Sequence, residues 1–185
     1  MSKRDWFTVP NLLSYFRLIL IPFFVYYYVM AETAMDYRLA TGILVLSGFT
    51  DAADGFIARK FHLTTKIGQL LDPVADKLTQ VAVVSVLMLR WPVFTFLFLL
   101  FVIKESYMFF ELIRLYRKDL SVDGAKWYGK IATIVFYLTM FIAVFFPNLS
   151  TVTVVFLVVL ASAYQLLALF YYAKLFNYLH KSEGN

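Results

Sequence analysis

Four aspartates, Asp51, Asp54, Asp72 and Asp76, carry most of the chemistry open to this chain. Asp51, Asp54, Gly55 and Ala58 are spaced i, i+3, i+4 and i+7, which places them on one helical face. Gly68, Asp72 and Asp76 follow at i, i+4 and i+8, again one face with slight drift. A short loop joins the two helices, so they are expected to be neighbours whose carboxylates converge. Gly55, Ala58 and Gly68 keep the same faces small enough for a ligand to lie between them. Like charges at short range raise one another's pKa, and divalent cations relieve that conflict. The chain has no cysteine and only two histidines, His62 and His180, so any metal ligands must be mostly oxygen. That donor set favours hard ions such as Mg²⁺, Mn²⁺ or Ca²⁺. Two such ions sharing carboxylates suit phosphoryl chemistry, with one carboxylate left to deprotonate an attacking hydroxyl. Arg59, Lys60 and Lys66 add positive charge for phosphate. Intramembrane acids also mark ion pathways, so a small cation transporter is the non-enzyme alternative.

The setting for these acids is apolar. Of 185 residues, 62% are hydrophobic and 16% charged, against about 45–50% and about 25% in a typical soluble domain. This composition excludes an ordinary soluble enzyme and a disordered chain. With 17 Lys+Arg against 12 Asp+Glu, the basic excess reads as membrane topology and phosphate handling, and nucleic acid is not an expected partner. No P-loop, dinucleotide-binding fingerprint or nucleophile elbow is present.

Six apolar segments are expected to cross the bilayer: 11–30, 39–58, 68–89, 93–114, 127–146 and 151–176. The whole chain, 1–185, reads as one all-α membrane domain of six transmembrane helices. Lys3 and Arg4 precede the first segment, which is long for a signal peptide and contains Arg17, so it is read as a retained helix. The stretch 1–10, with Trp6 and Phe7, reads as a short interfacial segment. Arg59, Lys60, Lys66, Arg114, Arg117, Lys118, Lys126, Lys174 and Lys181 fall with Lys3 and Arg4 on one side, and Arg38 and Arg90 on the other. By the positive-inside rule, both termini and the carboxylate cluster are expected at the cytoplasmic edge of a bacterial inner membrane. Glu105 and Glu111 also lie inside apolar segments, with Lys104 and Arg114 as expected partners. Pro73 disfavours the α conformation at Asp72, so the third helix is expected to start near Asp72 or to kink there.

The pattern D-x-x-D-G-x-x-A-R-x8-G-x3-D-x3-D, filled here by Asp51, Asp54, Gly55, Ala58, Arg59, Gly68, Asp72 and Asp76, resembles the signature of the CDP-alcohol phosphatidyltransferase family. The resemblance implies a six-helix membrane bundle, commonly a homodimer. It implies transfer of a phosphatidyl group from CDP-diacylglycerol to an alcohol, with release of CMP. It also implies Asp51, Asp54, Asp72 and Asp76 as metal ligands, and Asp76 as general base. Asp54, Gly55, Ala58, Arg59 and Gly68 would shape the nucleotide site. The runs Pro10-Asn11-Leu-Leu-Ser14-Tyr-Phe-Arg17 and Leu71 to Lys77 look like the branch of phosphatidylglycerophosphate and cardiolipin synthases. Ala132 and Lys104-Glu105 depart from the glycerophosphate pattern. Glycerol 3-phosphate is the favoured acceptor, with phosphatidylglycerol or another alcohol as alternatives. Arg17, Lys104, Arg114 and Lys130 are the candidates for holding an acceptor phosphate.

Overall fold

The computed structural model describes residues 6–61, 63, 65–117 and 126–182. Lys3, Arg4, His62 and Lys118 lie outside them, as do the side chains of Arg59, Lys66 and Lys181. Among the described residues there are six helices: α1 (Val9–Val29), α2 (Ala34–Lys60), α3 (Lys66–Arg90), α4 (Phe94–Tyr116), α5 (Trp127–Phe145) and α6 (Thr151–Ser182). All six segments expected from hydropathy are therefore helical. Three of them, α1, α5 and α6, are long and apolar enough to cross a membrane. The four aspartates of the candidate site lie on α2 and α3.

Local signals account for the helix ends. Pro10 occupies the first turn of α1, where its missing N–H costs nothing. Thr33 caps α2: its side chain accepts from the Asp36 N–H, and the Asp36 carboxylate accepts from the Thr33 N–H at 2.8 Å. This capping box places the start of α2 at Ala34, inside a stretch expected to be a break. The pattern Thr-x-x-Asp was there to be read. The Thr65 hydroxyl accepts from the Gly68 N–H at 3.0 Å, so α3 begins at Lys66. Pro73 therefore lies inside the helix, not at its start, which corrects the simpler of the two expectations for Asp72. The ring leaves the Gln69 carbonyl without its helical donor.

The chain divides into two compact units. The first is built from α1, α2 and α3, with the closest backbone approaches running from α1 to α2 and from α1 to α3. Its carboxylate end has the reverse of a soluble bundle's burial pattern. In α1, Leu12, Phe16, Ile19 and Phe23 are exposed, whereas Asn11, Ser14 and Arg17 are buried. In α2, Phe49 and Phe56 face outward while Ser47, Thr50 and Asp54 face inward. Apolar side chains outward and polar ones inward is the arrangement that hydrocarbon solvent selects.

The second unit is built from α4, most of α5, and α6. α4 and α6 approach most closely, over a cluster of Leu115, Tyr172 and Phe176. Phe101 stacks on Phe136 with ring centroids 5.1 Å apart. A Cβ on Gly129 would meet the Tyr172 hydroxyl, so a larger residue there would make that ring shift.

Candidate active site

The polar residues of α1 organise the carboxylates. Asn11, Ser14 and Arg17 recur at i, i+3 and i+6, one inward-facing stripe of α1. The Ser14 hydroxyl donates to Asp72 Oδ1 at 2.6 Å and lies 3.4 Å from Asp54 Oδ2. The Arg17 guanidinium pairs through Nη1 with Asp51 and through Nη2 with Asp54 at 2.8 Å. Arg17 is 2% exposed and Asp54 3%, so this is a desolvated ion pair; Asp51 remains half exposed. Three of the four expected aspartates thus meet around two side chains of α1. Arg17 Nε is buried without a partner, so the charge network is not fully satisfied.

The expectation of two directly facing helices is refined here. α1 provides the groups that join the carboxylates of α2 to that of α3, because both helices approach α1 most closely. Asp76 lies one turn further along α3, where Gln80 Nε2 donates to its Oδ2 at 3.4 Å. Gly68 marks the close crossing of α1 and α3: a Cβ there would lie 2.6 Å from Asn11 Oδ1. The Asn11 amide donates to Thr65 Oγ1 at 3.1 Å. The room left by Gly68 is therefore filled by Asn11. Gly55 and Ala58 are partly exposed on the carboxylate face of α2.

The donors fit a hard cation in kind: carboxylate oxygens from α2 and α3, and the Ser14 hydroxyl. Among the described residues, no three acidic or histidine side chains form a metal-binding group as they stand. In this arrangement Arg17 supplies the neutralising charge.

The cationic residues divide. Lys104 pairs with Glu105 at 2.8 Å, and Arg114 with Glu111 at 2.7 Å, the two pairings expected from the sequence. His180 Nε2 lies 2.9 Å from the other Glu111 oxygen. Lys104 and Lys130 line one cavity of about 480 Å³, together with Glu105, Thr133 and Tyr172. Arg114 is not part of that lining, and Arg17 is engaged by Asp51 and Asp54.

Ser14 and Asn11 were not singled out as site residues by their chemistry. The signal available was a polar i, i+3, i+6 stripe running through an otherwise apolar helix.

Residues 7–170 match the CDP-alcohol phosphatidyltransferase family model, and the chain belongs to that family. It is 40% identical over 133 residues to a Mycobacterium tuberculosis protein provisionally named a cardiolipin synthase, covering 72% of this chain and 62% of that one. It is 44% identical over 81 residues to the Escherichia coli CDP-diacylglycerol–glycerol-3-phosphate 3-phosphatidyltransferase, covering 44% of this chain and 43% of that one. The Haemophilus influenzae protein of the same name is 45% identical over 76 residues, 41% of this chain and 40% of that one. The chain thus spans about three fifths or less of the length of these relatives.

Proposed function

We propose that this chain is a membrane-embedded phospholipid synthase that transfers a phosphatidyl group from CDP-diacylglycerol to the primary hydroxyl of glycerol 3-phosphate. The observation that carries the reading is the meeting of Asp51, Asp54 and Asp72 around Ser14 and Arg17, in a chain that matches the family along most of its length. Asp51, Asp54, Asp72 and Asp76 would hold two divalent ions, Mg²⁺ or Mn²⁺. When bound, the ions offset the charge of the diphosphate and of the departing phosphate. Asp76 takes the proton of the acceptor hydroxyl. The acceptor oxygen then forms a bond to the phosphatidyl phosphorus, and the bond from that phosphorus to the CMP phosphate oxygen breaks. CMP leaves with its phosphate. Gly55 and Ala58 keep the nucleotide side of α2 shallow, Gly68 lets α1 and α3 cross closely beside it, Asp54 borders it, and Arg59 contributes a cation. Arg17, Lys104, Arg114 and Lys130 are the candidates for holding an anionic acceptor, and Lys104 and Lys130 line one cavity.

A second acceptor, phosphatidylglycerol, is favoured by one observation: the named cardiolipin synthase matches over a longer stretch than the glycerophosphate enzymes do. The proposal includes a homodimer, both termini and the carboxylate end on the cytoplasmic side, and a single catalytic domain. The test is CMP release by the purified full chain with CDP-diacylglycerol, Mg²⁺ or Mn²⁺ and a panel of acceptors, with product lipids identified by mass. Phosphatidylglycerophosphate is the expected product. Cardiolipin would shift the assignment to the second acceptor. No release with any alcohol would refute the enzyme reading, and full release in excess chelator would refute its dependence on a divalent ion.

A further inference from the structure

The end of the first unit away from the carboxylates contains a second polar cavity. Tyr28 lies fourteen residues beyond Ser14 on α1, about 21 Å along the helix axis. There, Tyr28 and Val29 of α1, Tyr37 of α2, and Val86, Leu89 and Arg90 of α3 line a cavity of about 300 Å³. That is the lower end of the size range of small-ligand pockets.

Its polar groups are of one kind. The Arg90 guanidinium donates to the Tyr37 hydroxyl and also covers the Tyr37 ring, 4.8 Å from the centroid. The Tyr28 ring meets the Tyr37 ring edge-on at 5.3 Å. Tyr28 is 5% exposed, and its hydroxyl is buried without a hydrogen-bond partner. Among the described residues, no carboxylate lines the cavity. A lining that offers a guanidinium and phenolic hydroxyls suits an oxyanion.

A purely structural account covers part of this. Arginine in the last turn of α3 complements the helix dipole, and tyrosines collect at membrane interfaces. Neither explains a buried hydroxyl left without a partner beside a cavity, since such groups are normally satisfied.

We propose that this cavity binds the phosphate of an anionic phospholipid in the leaflet opposite the carboxylate site. α1 has 21 residues, about 31 Å at the helical rise, which matches the hydrocarbon core of a bilayer. A site at its C-terminal end therefore falls at headgroup level. Basic pockets between helices at that level hold lipid headgroups elsewhere. The Tyr28 O–H and the Arg90 guanidinium would each donate to phosphate oxygens. An anionic lipid gains more than a zwitterionic one, whose own cation competes with Arg90.

The test is thermal unfolding of the purified full chain in detergent, titrated separately with phosphatidylglycerol, phosphatidylcholine and inorganic phosphate. Phosphatidylglycerol is expected to raise the midpoint saturably, at lower concentration than phosphatidylcholine. Tyr28→Phe and Arg90→Gln should each need about tenfold to a hundredfold more phosphatidylglycerol, the loss of one charge-assisted hydrogen bond. Asp72→Asn controls for lipid bound at the carboxylate end and should respond as the wild type does. Without lipid, Tyr28→Phe should unfold at or above the wild-type midpoint, because it loses only an unpartnered hydroxyl. An unchanged phosphatidylglycerol response in Tyr28→Phe would overturn the proposal, as would its loss in Asp72→Asn. Equal stabilisation by inorganic phosphate would make the ligand a soluble anion and overturn the lipid assignment. No response in the wild type would leave water as the only partner of Tyr28, with the same result.

Discussion

Replacing Arg17 by Gln is the sharpest probe of the carboxylate cluster. Arg17 and Asp54 are both almost fully buried and are joined at 2.8 Å. Removing one member of such a pair strands the other charge, which typically costs about 3–5 kcal/mol. The second pair adds little: Asp51 is 51% exposed, and a pair open to water contributes about 0–1 kcal/mol. A Gln amide can return about 1 kcal/mol through one hydrogen bond to Asp54. The expected loss is therefore about 2–5 kcal/mol, read from equilibrium unfolding of the full chain in mixed micelles. A double-mutant cycle with Asp54→Asn isolates the pair, and contacting residues couple by about 0.5–3 kcal/mol. A value in the upper half of that range is expected, because neither partner is solvated. Mg²⁺ should narrow the gap between Arg17→Gln and wild type, since a divalent ion can neutralise the carboxylates that Arg17 leaves. A loss below about 1 kcal/mol, or additive effects in the cycle, would refute the idea that Arg17 holds Asp54 in place. A gap insensitive to Mg²⁺ would count against Asp51 and Asp54 as metal ligands.

Three further outcomes are expected. Asp76→Asn should lower CMP release by about 10²–10⁴-fold, the usual contribution of a general base, while CDP-diacylglycerol still protects the protein against heat; full activity would remove Asp76 from that role. Gly68→Ala places a Cβ 2.6 Å from Asn11 Oδ1 and should cost about 1–2 kcal/mol of stability, partly offset by the better helix propensity of Ala; adding Asn11→Ala should recover the loss, and no recovery would mean the clash lies elsewhere. The Asp36 carboxyl is held below its ordinary pKa, chiefly by the Thr33 backbone N–H and then by the Thr33 side chain. A lowered folded-state pKa means that its help to the first turn of α2 is complete above the ordinary carboxylate value and fades as the pH falls through the lowered one. Amide exchange at residues 34–37 should speed up only in that acid window, and Asp36→Asn should flatten the dependence.

The helices were legible because their signals are local. Hydropathy located all six, and the residues at each break, such as Pro92 and Pro147, stop the chain without long-range help. The start of α2 was misplaced because Glu32, Thr33 and Asp36 look like a polar break until the capping geometry is considered. The course of α3 through Pro73 could not be read, because proline's local preference was overridden by helical turns on both sides. The four aspartates were legible as a group, since acids are scarce in an apolar chain and periodicity alone puts them on common faces.

Residue types and spacing by themselves determined that this is a helical membrane protein with a carboxylate-rich, oxygen-donor site, and which family's signature it carries. Both follow from one-dimensional information: composition sets the solvent, and a repeat near 3.6 residues sets the face. The tertiary structure decided the partners. Ser14 and Arg17 come to the aspartates from a helix more than thirty residues earlier in the chain. Tyr28, Tyr37 and Arg90, three residues unrelated in spacing, form one cavity only because α1 and α3 end where α2 begins. Such choices depend on which faces of separate helices meet. Burial enforces them, because a buried charge or hydroxyl is stable only beside a group that answers it.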